Sequence, residues 1–283
     1  MASFTNFATL SYNGGTTNSN IVTGEILEAL TAVKTAVSAN YSAGDRITYA
    51  LSLVNTGTAA ITDYTVTDNL GGYTVGANTV YPLAYNAGTV RYYINGVLQT
   101  PPTVTAGPPL TVTGLTVPAG GSAVLIYETT ATPVAPLATG SSITNTATIT
   151  GGGLTTPITA QATVDTANSA DLTISKALSP TTVTENGQIT YTFVISNTGN
   201  TEATATGNVV VTDTFAPILR NIAVTYNGTA WTEGTNYTYN AATGVFTTLA
   251  GQITVPAASF TQNTDGTFTV TPGTATLVIT GTV

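Results

Sequence analysis

The chain has no cysteine and no histidine. Disulfides and thiolate metal sites are thereby excluded, and zinc, general-base and triad chemistry lose their commonest participant. Charge is scarce as well: Asp, Glu, Lys and Arg make up 6% of the 283 residues, against about 25% in typical soluble domains. Five cations face 13 acids for a net charge of −8, so nothing basic is on offer to nucleic acid. No apolar run reaches the 18 or so residues of a membrane span. The opening stretch MASFTNFATLSYNGG lacks the basic and apolar regions of a secretory signal, which fits a mature form or an unusual export route. Thr, Asn, Ser and Gly carry the polar surface, and such a neutral surface suits packing against copies of itself.

What is present has the period of strands. DRITYALSLVNTG (45–57) and GQITYTFVISNTG (187–199) alternate apolar and polar residues and stop at Asn-Thr-Gly. DYTVTDNL, TVRYYING, LTVTGLTVPAG, SAVLIYETTA and NVVVTDTF read as further strands. Asn95-Gly96 and Asn227-Gly228 mark turns at the spacing of a β-sandwich. The one helix-compatible segment, residues 23–37, is short and β-branched and is read as strand. The fold class is all-β.

An internal repeat sets the architecture. Lys34 matches Lys176, residues 47–57 match 189–199, 64–70 match 209–215, 115–122 match 253–260, and 122–131 match 274–283. The first copy continues into GSSITNTATITGGGLTTPITAQATV (140–164), whereas the second reaches Val283 without it. The missing piece stands at the front: FTNFATLSYNGG (4–15) resembles ITNTATITGGG (143–153). The expected layout is an N-terminal donor strand or hairpin with its connector (1–30), a complete domain (31–165), and a domain lacking its last strand (166–283).

A sandwich short of one strand exposes unpaired backbone and a slice of core, and strand addition from another chain supplies both. Donor at one end and acceptor at the other make a heterologous contact, which propagates into a filament if it does not close. Phe4, Asn6, Ala8, Leu10 and Tyr12 form the expected donor face. The alternative is a strand that folds back into its own second domain, which the connector is long enough to allow.

Lys34 and Lys176 are the only lysines, and they share one repeat position. Asp68 and Asp213 end the VTD strands, and Asn145 and Asn6 follow Thr in the closing strands. Two sets result: Lys34, Asp68 and Asn145 within domain one, and Lys176 and Asp213 with Asn6 of a neighbouring subunit. A buried lysine loses its proton and becomes a nucleophile. A buried aspartic acid beside it can polarise the asparagine amide, and attack then releases ammonia and leaves an isopeptide. Such a step happens once per site, so turnover catalysis is not expected. The plainer alternatives are a buried Lys–Asp ion pair held by Asn, or a surface lysine without a partner. Glu128 and Glu185 are rival acids, but neither has a match in the other repeat.

The lysine strand DLTISKALS, the ITY…NTG and VTD elements and the closing TNTAT resemble the conserved-repeat bacterial surface domain known as domain of unknown function 11. The resemblance spans nearly the whole chain and implies immunoglobulin-like sandwiches at a cell or spore surface. The proposed chemistry is similar to the spontaneous Lys–Asn crosslinks of Gram-positive pilins and adhesins. The resulting expectation is a structural subunit of an extracellular filament, its partner another copy of itself, with no cofactor, metal, nucleic acid or membrane span. The runner-up is a monomeric adhesin, using Tyr92, Tyr93, Tyr226, Trp231, Tyr237 and Tyr239 to stack on sugars. Residues at this spacing more often pack across strands. Asn227-Gly-Thr and Asn236-Tyr-Thr are sequons, a pattern with many false positives.

Overall fold

Alternation places the strands. In Arg46–Asn55, Ile47, Tyr49, Leu51 and Leu53 are buried while the residues between them face outward, the signature of a strand covered on one face. The computed structural model describes residues 2–26 and 29–283. It divides into two compact units, Met1–Ala135 with Ser142–Asp165, and Pro136–Ser141 with Thr166–Val283. Residues 136–141, expected within 31–165, therefore belong with the second unit. The Asn200 side chain donates to the Leu137 carbonyl, and the Thr139 hydroxyl donates to that of Asn200.

Unit one packs two sheets face to face. The first runs Val97–Leu98, Arg91–Ile94, Ser122–Ala131, Arg46–Asn55, Leu30–Ala36. The second runs Thr103–Thr105, Leu110–Val117, Ile61–Asp68, Ser142–Gly151, Ile158–Thr166, Asn40–Tyr41. Ser142–Gly151 and Ile158–Thr166 form the closing hairpin. It pairs with Ile61–Asp68 on one side, Ala147 standing opposite Asp68, and reaches Asn40–Tyr41 on the other, where the Asp165 amide donates to the Ala39 carbonyl.

Unit two repeats the first sheet in the same order: Leu172–Ser179, Gln188–Asn197, Gly273–Thr282, Arg220–Tyr226, Thr229–Trp231. Its facing sheet holds three strands, Thr212–Thr214, Val245–Thr248 and Tyr237–Asn240. Thr212–Thr214 pairs with Val245–Thr248 alone, so among the described residues nothing lies where unit one has its closing hairpin. The strand expected over NVVVTDTF is accordingly shortened to Thr212–Thr214, since a ladder on one side only supports fewer residues.

At the start of unit one, Ala2–Asn6 pairs with Val22–Ile26, and Thr9–Tyr12 with Gly15–Asn18. Together they make one long hairpin whose strands pair only with each other among the described residues. Its large apolar side chains, Phe4, Phe7, Leu10, Tyr12, Ile21 and Val22, are all exposed. The segment 23–37 holds strands Val22–Ile26 and Leu30–Ala36; residues 27 and 28 lie outside the described residues.

Two sequence signals have clear local causes. Asn95-Gly96 and Asn227-Gly228 occupy hairpin turns with positive φ at both residues, the backbone a two-residue turn requires. In Asn-Thr-Gly, the Asn55 amide donates to the Ala59 and Pro118 carbonyls and its oxygen accepts from the Gly57 amide. Asn197 repeats this with Thr201, Pro256 and Gly199. These repeated asparagines staple strand ends.

Candidate functional site

In unit one the interior gathers a lysine, an aspartate, an asparagine and two tyrosines. Lys34 comes from the first strand and faces Tyr49 and Tyr127, cross-strand neighbours in the same sheet with their rings stacked. Lys34 Nζ lies 4.8 Å from the Tyr49 ring centre and 5.8 Å from that of Tyr127. The facing sheet supplies Asp68, whose Oδ2 is 2.5 Å from Lys34 Nζ. Asp68 Oδ2 also accepts from the Tyr127 hydroxyl, and Oδ1 from the Leu70 amide at 2.9 Å. The Lys34 side chain has 0% of its surface exposed and that of Asp68 1%.

Asn145 stands on the closing strand two residues from Ala147, the partner of Asp68, and is fully buried. Burial pushes the phenols of Tyr49 and Tyr127 upward, and the Asn145 amide opposes part of that push in both. The carboxamide therefore lies beside the two hydroxyls. Yet neither its oxygen nor its nitrogen completes a hydrogen bond, and neither does the Tyr49 hydroxyl. Leaving a buried polar group unpaired costs about 1–3 kcal/mol, and native interiors rarely tolerate it without a chemical reason.

Burial lowers Lys34 from 10.5 to about 8, the attraction of Asp68 opposing the shift. Because the folded value is the lower one, the unfolded chain binds more protons between about pH 8 and 10.5. Stability conferred by this group therefore rises across that window, and below it the full penalty of the buried ammonium remains. For reactivity, Lys34 passes its proton to Asp68 within the pair, so the amine beside a protonated acid forms without exchange with solvent; above about pH 8 that proton is lost to solvent and the acid with it. If Lys34 attacks Asn145 in this way, chain held unfolded in denaturant and then refolded should lose ammonia at one rate between about pH 6 and 7 and about tenfold more slowly per unit above about pH 8. Intact mass against time reads this directly, and a rate that climbs steadily from about pH 6 to about pH 9 would rule out Asp68 as the acid.

Unit two carries the same beginning without the end. Lys176 Nζ reaches Asp213 Oδ2 and lies 4.5 Å from the Tyr191 ring centre and 5.4 Å from that of Phe193. Here the lysine side chain is 41% exposed and Asp213 18%. Ile174 and Leu178, on the same face of the strand as Lys176, are exposed too. Ile279, opposite Tyr191, stands where Tyr127 stands opposite Tyr49, so Asp213 has no phenol donor. Asn6 lies on the N-terminal hairpin, its strand paired among the described residues only with Val22–Ile26. Within one chain the structure thus gathers Lys34, Asp68 and Asn145, and pairs Lys176 with Asp213 alone.

The rival acids lie elsewhere. Glu128 meets Arg46 at the surface, 3.4 Å away, and Glu185 lines a groove at one end of unit two. The aromatic residues are shared between the units. Tyr92 is buried and donates to the Thr116 carbonyl, Tyr226 donates to that of Thr254 and stacks on Trp231, and Tyr237 packs on Phe246. They serve cross-strand packing. Tyr49 and Tyr127 are the functional candidates that sequence reasoning missed. The exchange of Tyr127 for Ile279 between otherwise matching strands was the available signal.

No family model matches the chain, and no curated protein matches it. Among solved structures it is similar to BcpA, the major pilin subunit of Bacillus cereus. The match has 14% identity and a TM-score of 0.36, over 96% of this chain and 73% of that one. A 35 kDa C-terminal fragment of the major pilin GBS80 of Streptococcus agalactiae gives 14% identity and a TM-score of 0.36, over 87% of each chain. The N-terminal domain of the Streptococcus gordonii adhesin Sgo0707 gives 16% identity and a TM-score of 0.35, over 47% of this chain. This chain spans 31% of that structure's length.

Proposed function

We propose that the chain is the structural subunit of an extracellular filament at a cell or spore surface. The N-terminal hairpin of one copy completes unit two of the next. Lys34 joins Asn145 within unit one, and Lys176 joins Asn6 across the junction. In each reaction a proton passes from the lysine ammonium to the aspartate, and the free amine attacks the asparagine Cγ. As the new C–N bond forms, the aspartic acid gives its proton to the amide nitrogen and the resulting carboxylate takes the second proton of the attacking amine, so that the old C–N bond breaks, ammonia leaves and the aspartate is left protonated.

One observation carries the reading: the same lysine is sealed in unit one beside an unpartnered asparagine, and open in unit two. A free hairpin bearing the same Thr-Asn motif is present in the same chain. Two further features support it, the unpaired edge of Thr212–Thr214 and the exposed inward face of Leu172–Ser179.

The test is to boil the assembled material in SDS with and without Asn6→Ala. The wild type should run as a ladder, each joint lighter by one ammonia, and the variant should collapse to monomer. Monomer in both would remove the intermolecular bond.

A further inference from the structure

The vacancy in unit two is two strands wide. In unit one, the closing hairpin fills the space between Ile61–Asp68 and Asn40–Tyr41. Matched through the lysines, Tyr41 corresponds to Val183 and Ala39 to Thr181. Tyr41 is 1% exposed, whereas Val183 is 36% exposed and belongs to no strand. Two edges are therefore unpaired, one at Thr212–Thr214 and one near Thr181–Val183. A single added strand could satisfy only one of them, since neighbouring strands lie about 4.8 Å apart.

The N-terminal hairpin has the matching build. Asn6 stands opposite Val22 as Asn145 stands opposite Ala162. Phe4 stands opposite Gly24 as Ile143 stands opposite Val164. Beyond Asn6, the register shifts by one residue on the return strand before Thr9 meets Asn18, so Phe4, Asn6, Ala8 and Leu10 keep a common face. The Phe4 ring covers Gly24 so closely that a Cβ there would come within 2.4 Å of its tip. One large side chain thus takes the place of the Ile143 and Val164 pair.

Unit two has a groove of about 630 Å³ whose lining includes Val183, Ile189, Tyr191, Ala216 and Pro217. Their counterparts in unit one are Tyr41, Ile47, Tyr49, Gly71 and Gly72. Ile143 packs there against Gly71, where an added Cβ would meet its Cγ2 at 2.6 Å. Resting on the filament reading, we propose that the donor enters as an intact two-stranded hairpin. Ala8 comes opposite Asp213, the Glu25 amide donates to the Thr181 carbonyl, and Phe4 of the second copy fills this groove.

The absence of cysteine makes the register directly readable. Phe4→Cys and Ala216→Cys in one chain should yield intermolecular disulfides on assembly under mild oxidation, whereas Ala2→Cys with Ala216→Cys, which reports a two-residue slip, should not. Because Phe4→Cys also removes the aromatic plug, hydrogen exchange of the unmodified chain before and after assembly provides the second readout. Residues 22–26 should gain protection together with residues 4–10. Filaments that form normally but protect only 4–10, or that crosslink through position 2, would overturn the hairpin register and leave the filament reading standing. Assembly undiminished without residues 1–26 would overturn the donor role on which this register rests.

Discussion

A chain lacking residues 1–26 should keep both units folded, lose the ability to elongate, and regain a more stable unit two when the hairpin is supplied as a peptide. Among the described residues the removed strands pair only with each other, so neither sandwich loses a ladder. Unit two keeps a core of its own, built on Phe193, Phe215, Phe246, Ile253, Leu277 and Ile279. What it lacks is cover for Ile174, Lys176, Leu178 and Val183. Docking would bury these together with Phe4, Leu10 and Val22 of the hairpin, at about 1.5–3 kcal/mol per large apolar side chain. Against this stands an association cost on the order of 4–15 kcal/mol. A separate peptide should therefore bind modestly, while a covalently closed joint is permanent. At a hundred times its Kd the peptide adds about 2.7 kcal/mol, a rise on the order of 10 °C for a unit of this size. Calorimetry should show that rise in one transition and no change in the other. A truncated chain that still forms filaments, or a peptide that moves neither transition, would sink the donor role.

Asn145→Ala separates the covalent reading of unit one from the ion-pair reading by the sign of its effect. If Asn145 is an ordinary buried amide with no hydrogen bond, replacing it removes an unpaired polar group. The change should then be neutral or stabilising by about 1–2 kcal/mol. If it is bonded to Lys34, the same substitution opens a loop of about 110 residues. By the chain-entropy treatment of crosslinks, unit one then loses about 4–5 kcal/mol. It also leaves Lys34 as a buried charge resting on Asp68 alone. Denaturant titration gives the sign, and intact mass shows whether the wild-type chain is one ammonia lighter. A stabilised variant at full wild-type mass would reduce the site to an ion pair.

Much of this site could be read along the chain. With only two lysines in 283 residues, their shared repeat position stands out, and strand alternation places both on an inward face. The turns at Asn95-Gly96 and Asn227-Gly228 depend on local backbone needs and are visible for that reason. The Tyr127 contact with Asp68 is different in kind. It joins residues 59 apart from facing sheets, and only the comparison of SAVLIYETTA with TATLVITGTV, where Ile279 replaces Tyr127, sets this tyrosine apart from one that merely fills space. The short Thr212–Thr214 strand was hidden similarly, because strand length there depends on a partner that Val209–Phe215 does not specify. Residues 136–141 joined unit two through Asn200, a contact more than 60 positions away.

The placement of the two lysines has a mechanical consequence. Lys34 and Lys176 open their sandwiches, Asn145 sits on the strand that closes unit one, and Asn6, in the proposed assembly, sits on the strand that closes unit two of the next copy. With both bonds made, a pull along the fibre would enter a subunit at Asn6, run to Lys34, cross to Asn145, and continue to Lys176 and the next copy. Tension would travel through residues 6–34 and 145–176 alone. The bodies of the two sandwiches, residues 35–144 and 177–283, would hang beside that line, and the fibre could bear load without drawing on the folding stability of either.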